Sequence, residues 1–188
     1  MLARIGVIDE GDWAAQLEGG FASGDTNILS LGETPPKLKT RGFNENIKVG
    51  LLMYQVALRA LTYQALNPLG AGELGSLGRV YNTKYFMPSA SFTIVPGLEV
   101  HAQFLIGWAS KLDQLVYGIG NTNDDCGFSS DCFYGWDADL AFRAKMGAKD
   151  IIWVDLETGM MQPGKAFTNA GFNDAWLWTV QLRAAMIF

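Results

Sequence analysis

Two pairs of acids stand at i, i+2 spacing, Asp137 with Asp139 and Asp155 with Glu157, and the single histidine, His101, follows Glu99 and precedes Gln103. Carboxylates paired on one strand face could run acid–base chemistry on a glycan, one donating a proton while the other attacks or activates water. The same acids beside Arg143, Lys145 and Arg183 form a ladder of ion pairs and hydrogen bonds that holds a wall, and this reading is preferred. With one histidine no nucleophile–base pair can be assembled, and an esterase or protease site would need Ser, His and an acid together near a rim. His101 falls in mid-strand, so it is read as a hydrogen-bonded wall histidine. No catalytic residue is expected, and the chain is not read as an enzyme.

Cys126 and Cys132 sit in NTNDDCGFSSDCFYG, where a five-residue gap could close a disulfide in an oxidising compartment; two reduced surface cysteines are the alternative. A zinc set is poor, with one distant histidine. GDTN (residues 24–27) and NTNDD (residues 121–125) cluster oxygens that could take calcium, but Cys126 stands where an EF-hand loop needs glycine. Loop polarity explains both equally well. No metal and no cofactor are expected.

The 188 residues are 49% hydrophobic and 18% charged, enough for one domain with a sizeable core and against disorder. The 22 glycines, six tryptophans, six tyrosines and eleven phenylalanines favour a many-stranded fold. A net charge of −5 and the lack of any Lys/Arg cluster count against a nucleic-acid partner. No window of 18 apolar residues offers a transmembrane helix. The start, MLARIGVIDEGDW, lacks the features of a signal peptide. The expectation is either a cytoplasmic chain or the interior and end of a longer protein whose signal lies upstream.

The elements that must position these residues read as strands of period two. In AWLWTVQLRAAMIF, Trp176, Trp178, Val180, Leu182, Ala184, Met186 and Phe188 share a face opposite Gln181 and Arg183. Trp136, Ala138, Leu140, Phe142, Ala144 and Met146 oppose Asp137, Asp139, Arg143 and Lys145. Ile152, Val154, Leu156 and Met160 oppose Asp155 and Glu157, and Val100, Ala102, Phe104, Ile106 and Trp108 oppose Glu99, His101 and Gln103. Phe86, Ala90, Phe92 and Ile94 oppose Ser89, Ser91 and Thr93, and Trp13, Ala15, Leu17 and Phe21 oppose Gln16 and Glu18. LARIGVI is a partial strand. Connections alternate: short near residues 9–12, 95–97 and 147–150, long at 22–79, 110–133 and 162–175. A helix is predicted over residues 51–66, inside the first long loop.

Charges buried between two sheets would cost several kcal/mol each unless paired. Facing a water-filled lumen they cost little. The strands, ten to fourteen residues long, suit a tilted bilayer crossing. Their apolar faces end in aromatics, Trp13, Phe21, Phe92, Trp108, Trp136, Trp176 and Phe188, as an interfacial girdle requires. The expected fold is an all-β, antiparallel up-and-down transmembrane barrel of about seven strands in a single partial domain, 1–188, with extracellular loops at 22–79, 110–133 and 162–175. The expected lumen set is Glu18, Glu99, His101, Asp137, Asp139, Arg143, Lys145, Asp155, Glu157 and Arg183. About seven strands do not close a bacterial barrel, which takes an even count of at least eight. The chain is therefore read as the C-terminal part of a larger barrel, completed by N-terminal strands. A soluble β-rich domain is the competing reading.

Phe188, with aromatic and aliphatic residues at alternate positions before it, resembles the C-terminal signal read by the outer-membrane barrel assembly machinery. GGFASGDTN (residues 19–27), YGWDADLAFRAKM (134–146) and LETGMMQPGKAF (156–167), in order over most of the chain, resemble the alginate-export type of outer-membrane barrel of Gram-negative bacteria. The resemblance implies an outer-membrane location in contact with lipid, and a monomeric, many-stranded barrel with a strongly basic lumen and a restricted pore. The lumen set here departs from that in being net acidic, which disfavours a polyanion such as alginate and favours cations or neutral solutes. The expected function is a channel for passive diffusion or polymer export. The alternative is a structural or surface-interaction barrel whose lumen is plugged by residues 51–66.

Overall fold

The computed structural model describes residues 1–8, 12–23, 49–57, 80, 82–111, 126–147, 152–169 and 171–186. The calcium candidates at 24–27 and 121–125, the rest of the predicted helix from residue 58, and Phe188 lie outside them.

Among the described residues, seven strands form one antiparallel sheet in simple chain order: β1 (Leu2–Ile8), β2 (Trp13–Ala22), β3 (Thr83–Val95), β4 (Leu98–Ala109), β5 (Phe133–Met146), β6 (Ile152–Pro163) and β7 (Leu177–Met186). Each strand pairs with its sequence neighbour, and the alternation of side chains stays in phase across the ladder. Two register shifts, at Thr93/Val95 and at Gly107/Trp108, are the local exceptions. They fall near strand ends, where a bulge bends a strand at least cost to the ladder.

β1 is a full seven-residue strand paired along its length with β2, where the sequence predicts only a partial one. β5 begins at Phe133, three residues before the alternation becomes readable at Trp136. A short helix, α1 (Lys165–Asn169), follows the Pro163-Gly164 step at the end of β6 and packs on β5.

The two faces of the sheet differ in kind. One carries Trp13, Leu17, Phe21, Phe86, Phe92, Phe104, Leu140, Phe142, Leu156, Met160, Val180 and Leu182, all exposed, with Trp178 at 77% and Leu182 at 71%. The other holds the charged strand residues apart from Lys84, which stands level with Phe21 and Trp108, and, toward the ends of β3, β4 and β5 next to the long loops, the buried core. Large apolar surface thus lies outside and the polar ladder inside, the reverse of a water-soluble sheet packed on its apolar face.

Candidate functional site: a charged inner wall with a docked segment

Register brings the inner residues of β4 to β7 into rungs. Glu99, Arg143, Asp155 and Arg183 stand side by side, so charge alternates across four strands. The next rung holds His101, Ala141, Glu157 and Gln181, and the one above it Gln103, Asp139, Gly159 and Thr179. Arg143 Nε donates to Asp155 Oδ1 at 2.9 Å, Lys145 Nζ to Glu99 Oε1 at 2.8 Å, and Arg183 pairs with Glu157. His101 Nε2 lies 3.3 Å from Glu99 Oε2. On the far side, Glu18 takes Arg4 through Nε at 2.8 Å and accepts the Tyr85 hydroxyl at 2.5 Å. These opposed pairs neutralise the wall locally and fix side chains that would otherwise sweep the space before it.

A cavity of about 510 Å³ opens in front of this wall, lined from six strands, β2 to β7. The inner face is therefore concave. Gln16, Ser91, His101, Arg143, Glu157 and Gln181 are among its lining, and hydroxyls and amides separate the charges.

The residues of the predicted lumen set thus share the inner face, but they do not share one environment. Glu18 is 1% exposed and Asp137 0%, so neither meets open solvent. Glu18 is covered by Tyr85, whose ring lies over Gly20, where a Cβ would run into it. Asp137 is covered by residues 49–57.

Those residues cross the inner face as a turn and a single π-helical stretch, Met53–Ala57, in which the Ala57 N–H donates to Leu52 O at 2.9 Å. The sequence predicts an α-helix over 51–66 lying in an outer loop. The described part is instead pulled onto the wall, because its first amides find side-chain acceptors there. Asp139 Oδ2 accepts the Leu51 N–H, and Asp137 Oδ2 accepts those of Leu52 and Met53, each at 2.9 Å. Gly50, at φ 62°, turns the chain so that these amides point at the carboxylates, and a side chain there would strike Leu105 and Asp137. The Gln55 amide closes the turn on Gly50 O at 2.7 Å.

Apolar contacts do the rest. Leu52, Met53, Tyr54 and Ala57 are buried with Tyr85, Met87, Leu105, Tyr134 and Met161 of the strands. Tyr54 shares a 2.5 Å hydrogen bond with Thr83 Oγ1, and burial pushes its phenol up, keeping it protonated. Gly107 and Gly159 make the room: a Cβ at Gly107 would sit 2.7 Å from Tyr54 Oη, and one at Gly159 3.1 Å from Leu51 Cδ2. Sequence reasoning found the acids but not the segment they hold, since the partners lie some 85 residues apart.

The rim is tied separately. Cys126 and Cys132 form a disulfide, and both are buried. Their backbone continues the ladder, with the Cys126 N–H on Ser110 O at 3.1 Å and the Ala109 N–H on Cys132 O at 2.8 Å.

On the outer face the predicted aromatics that are described fall into two bands. Trp13 pairs in register with Phe92 near the short turns. Toward the long loops, Trp136 meets Trp176 at 5.0 Å and Phe104 at 5.7 Å, Trp108 lies beside Phe133, and Phe21 is the penultimate residue of β2. Among the described residues, no group of three or more potential metal ligands is found.

No protein-family model matches this chain, and no curated protein does. The site must be read from its own geometry.

One consequence concerns β1. Glu18→Ala removes the acceptor that ties Arg4 of β1 to Tyr85 of β3, hydrogen bonds of the charge-assisted kind worth about 1.5–3 kcal/mol. The expected result is a lower unfolding temperature in detergent and faster amide exchange confined first to β1 and β2, read by mass spectrometry.

Proposed function

We propose that the chain forms the wall of an outer-membrane channel, with lipid against the apolar face and a water-filled lumen against the charged one. The observation that carries this is the inversion of the sheet. A contiguous apolar surface over seven strands is costly in water and favourable in hydrocarbon, while ion-paired rungs on a concave face are costly in a dry core and cheap beside water. From Trp13 to Phe21, the eight residue-to-residue steps of β2 span about 27 Å along the strand, or roughly 20 Å of height at the usual tilt, close to the apolar band of such barrels. The two aromatic bands lie where interfaces would be. The Cys126–Cys132 disulfide suits an oxidising compartment. Among the described residues no helix is long and apolar enough to cross a membrane, which leaves crossing by strands open.

Among the described residues, β1 and β7 each have one unpaired edge in this sheet. Free edges are not tolerated in lipid, so closure takes further strands, and the resemblance to alginate-export barrels supplies a precedent for a larger strand count. Assembly would proceed through the outer-membrane barrel machinery, which reads the last strand. The cargo that fits is a small hydrophilic solute or a polymer that carries little negative charge. Among the described residues, four of the six acids on the inner face each meet a cation and no cation is left in excess, so this wall offers nothing to draw in a polyanion.

A second reading is favoured by one observation, the docking of residues 49–57 against the inner face: a barrel plugged by its own loop, whose outer loops make contacts with other molecules. Conductance separates the two. The full-length native protein in a planar bilayer should pass ions in discrete steps, and Glu157→Gln should shift the reversal potential toward anions. A barrel that inserts and passes no current under any voltage is plugged, and the channel reading then fails.

A further inference from the structure

The inner segment is held by two acids whose situation is incomplete. Asp137 and Asp139 are successive inward residues of β5, and their carboxyl groups are brought together on the amides of two adjacent residues, Leu52 and Leu51. Each spends Oδ2 on backbone amides of the segment, and Asp139 Oδ2 also accepts the Gln103 amide at 2.6 Å. Each leaves Oδ1 buried with no hydrogen-bond donor among the described residues. Two buried carboxylate oxygens without donors, on neighbouring like charges, are the most expensive arrangement on this wall.

The groups around them do not relieve it. From the segment, Tyr54 turns its hydroxyl to Thr83. From β4 come His101, engaged with Glu99, and Gln103. Along β5 itself, Arg143 is bound to Asp155, and from β6 and β7 the Glu157–Arg183 pair is closed on itself. No cation of the described residues reaches either Asp, and none of the other groups offers a donor to Oδ1. A single added proton does what none of them does: it gives one carboxyl an O–H to donate and removes one of the two repelling charges, as in acid dyads that share a proton.

We propose that residues 49–57 are a gate latched by one proton shared between Asp137 and Asp139. Docking buries the pair under the segment and takes up the proton; undocking returns both carboxylates to water, where they ionise separately. The docked state holds one proton more than the undocked one, so docking strengthens as pH falls and weakens as pH rises. The latch rests on the barrel reading for its biological use, narrowing a lumen in acid, but its chemistry needs only the docked segment.

The test uses the full-length protein in nanodiscs, with nitroxides at Val56→Cys on the segment and Gln181→Cys on the facing wall, and reads their distance by pulsed electron resonance. Between about pH 4.5 and pH 9, a range that brackets loss of a shared proton, the distance should go from short and narrow to long and broad. Asp139→Asn replaces the shared proton with a permanent amide donor of the same shape, and its distance should stay short across the range; Asp137→Asn is the second variant should the first not fold. A wild-type distance that ignores pH, or an Asp139→Asn distance that still follows it, overturns the latch. Conductance read in parallel judges the channel separately: a barrel that never passes current while its label distance follows pH keeps the latch and loses the channel.

Discussion

Gly107→Leu is expected to drive residues 49–57 off the wall and raise single-channel conductance several-fold, with the β-sheet signature of the protein unchanged. The strand at Gly107 is crossed at closest approach by Tyr54 and Met53, and even a Cβ there would stand 2.8 Å from Met53 Sδ. Overpacking of this kind costs about 1–3 kcal/mol when it cannot be relieved. Here relief is at hand, since the segment can leave while the ladder of β3, β4 and β5 stays paired. A cost of that size changes the ratio of docked to undocked chains by roughly five- to 150-fold. Gly107→Ala should move in the same direction by less. Gly127→Ala, at a glycine with nothing near its Cβ position, should do nothing. A conductance unchanged by Gly107→Leu would mean that the segment does not limit the path.

The second large effect is on the other face. Leu182 sits in the middle of β7, opposite Leu156 and 71% exposed. In water, replacing so exposed a leucine with arginine would cost almost nothing. In a bilayer an arginine at mid-height on a barrel's lipid face costs about 2–4 kcal/mol. Leu182→Arg should therefore lower the urea midpoint for unfolding from lipid vesicles, while Gln181→Arg, one residue away on the inner face, should leave it nearly unchanged. Equal effects from the two would remove the distinction between the faces on which the proposed function stands.

The strands were legible because period two is a local signal, carried by side chains within reach of one another along the chain. Trp13–Phe21, Leu98–Trp108 and Ile152–Met160 all lie within one to three residues of the observed strands. The start of β5 was hidden by Gly135, whose φ of 125° accompanies a break in the alternation just where the β4 register shifts. The assignment of acids to one face was equally local. Which acids that face would cover was not, because Asp137 and Asp139 owe their burial to amides of residues 51–53, and nothing in the apolar spacing of VGLLMYQVALRAL marks a segment destined for a polar wall. The period-two pattern carries the wall, and long-range hydrogen bonds decide what stands against it.

The ion-paired rungs also show why composition alone misjudges such a wall. Counting acids against bases suggests a uniformly negative lining, yet Glu18, Glu99, Asp155 and Glu157 are each matched by a cation. Among the described residues of this face, the excess is confined to two neighbouring carboxyls beneath the segment. Local pairing, more than net charge, sets the field in front of the wall.

The measurement that bears most directly on the central claim is the accessibility of β7 to lipid, residue by residue. Single nitroxides placed in turn from Thr179 to Ala184 in the full-length protein, reconstituted in vesicles, would be relaxed by oxygen, which collects in hydrocarbon, or by a polar nickel chelate, which stays in water. Strict alternation is the predicted result: oxygen at Val180, Leu182 and Ala184, nickel at Thr179, Gln181 and Arg183. Nickel access at Val180, Leu182 and Ala184 equal to that of their neighbours would place the apolar face in water and contradict the barrel.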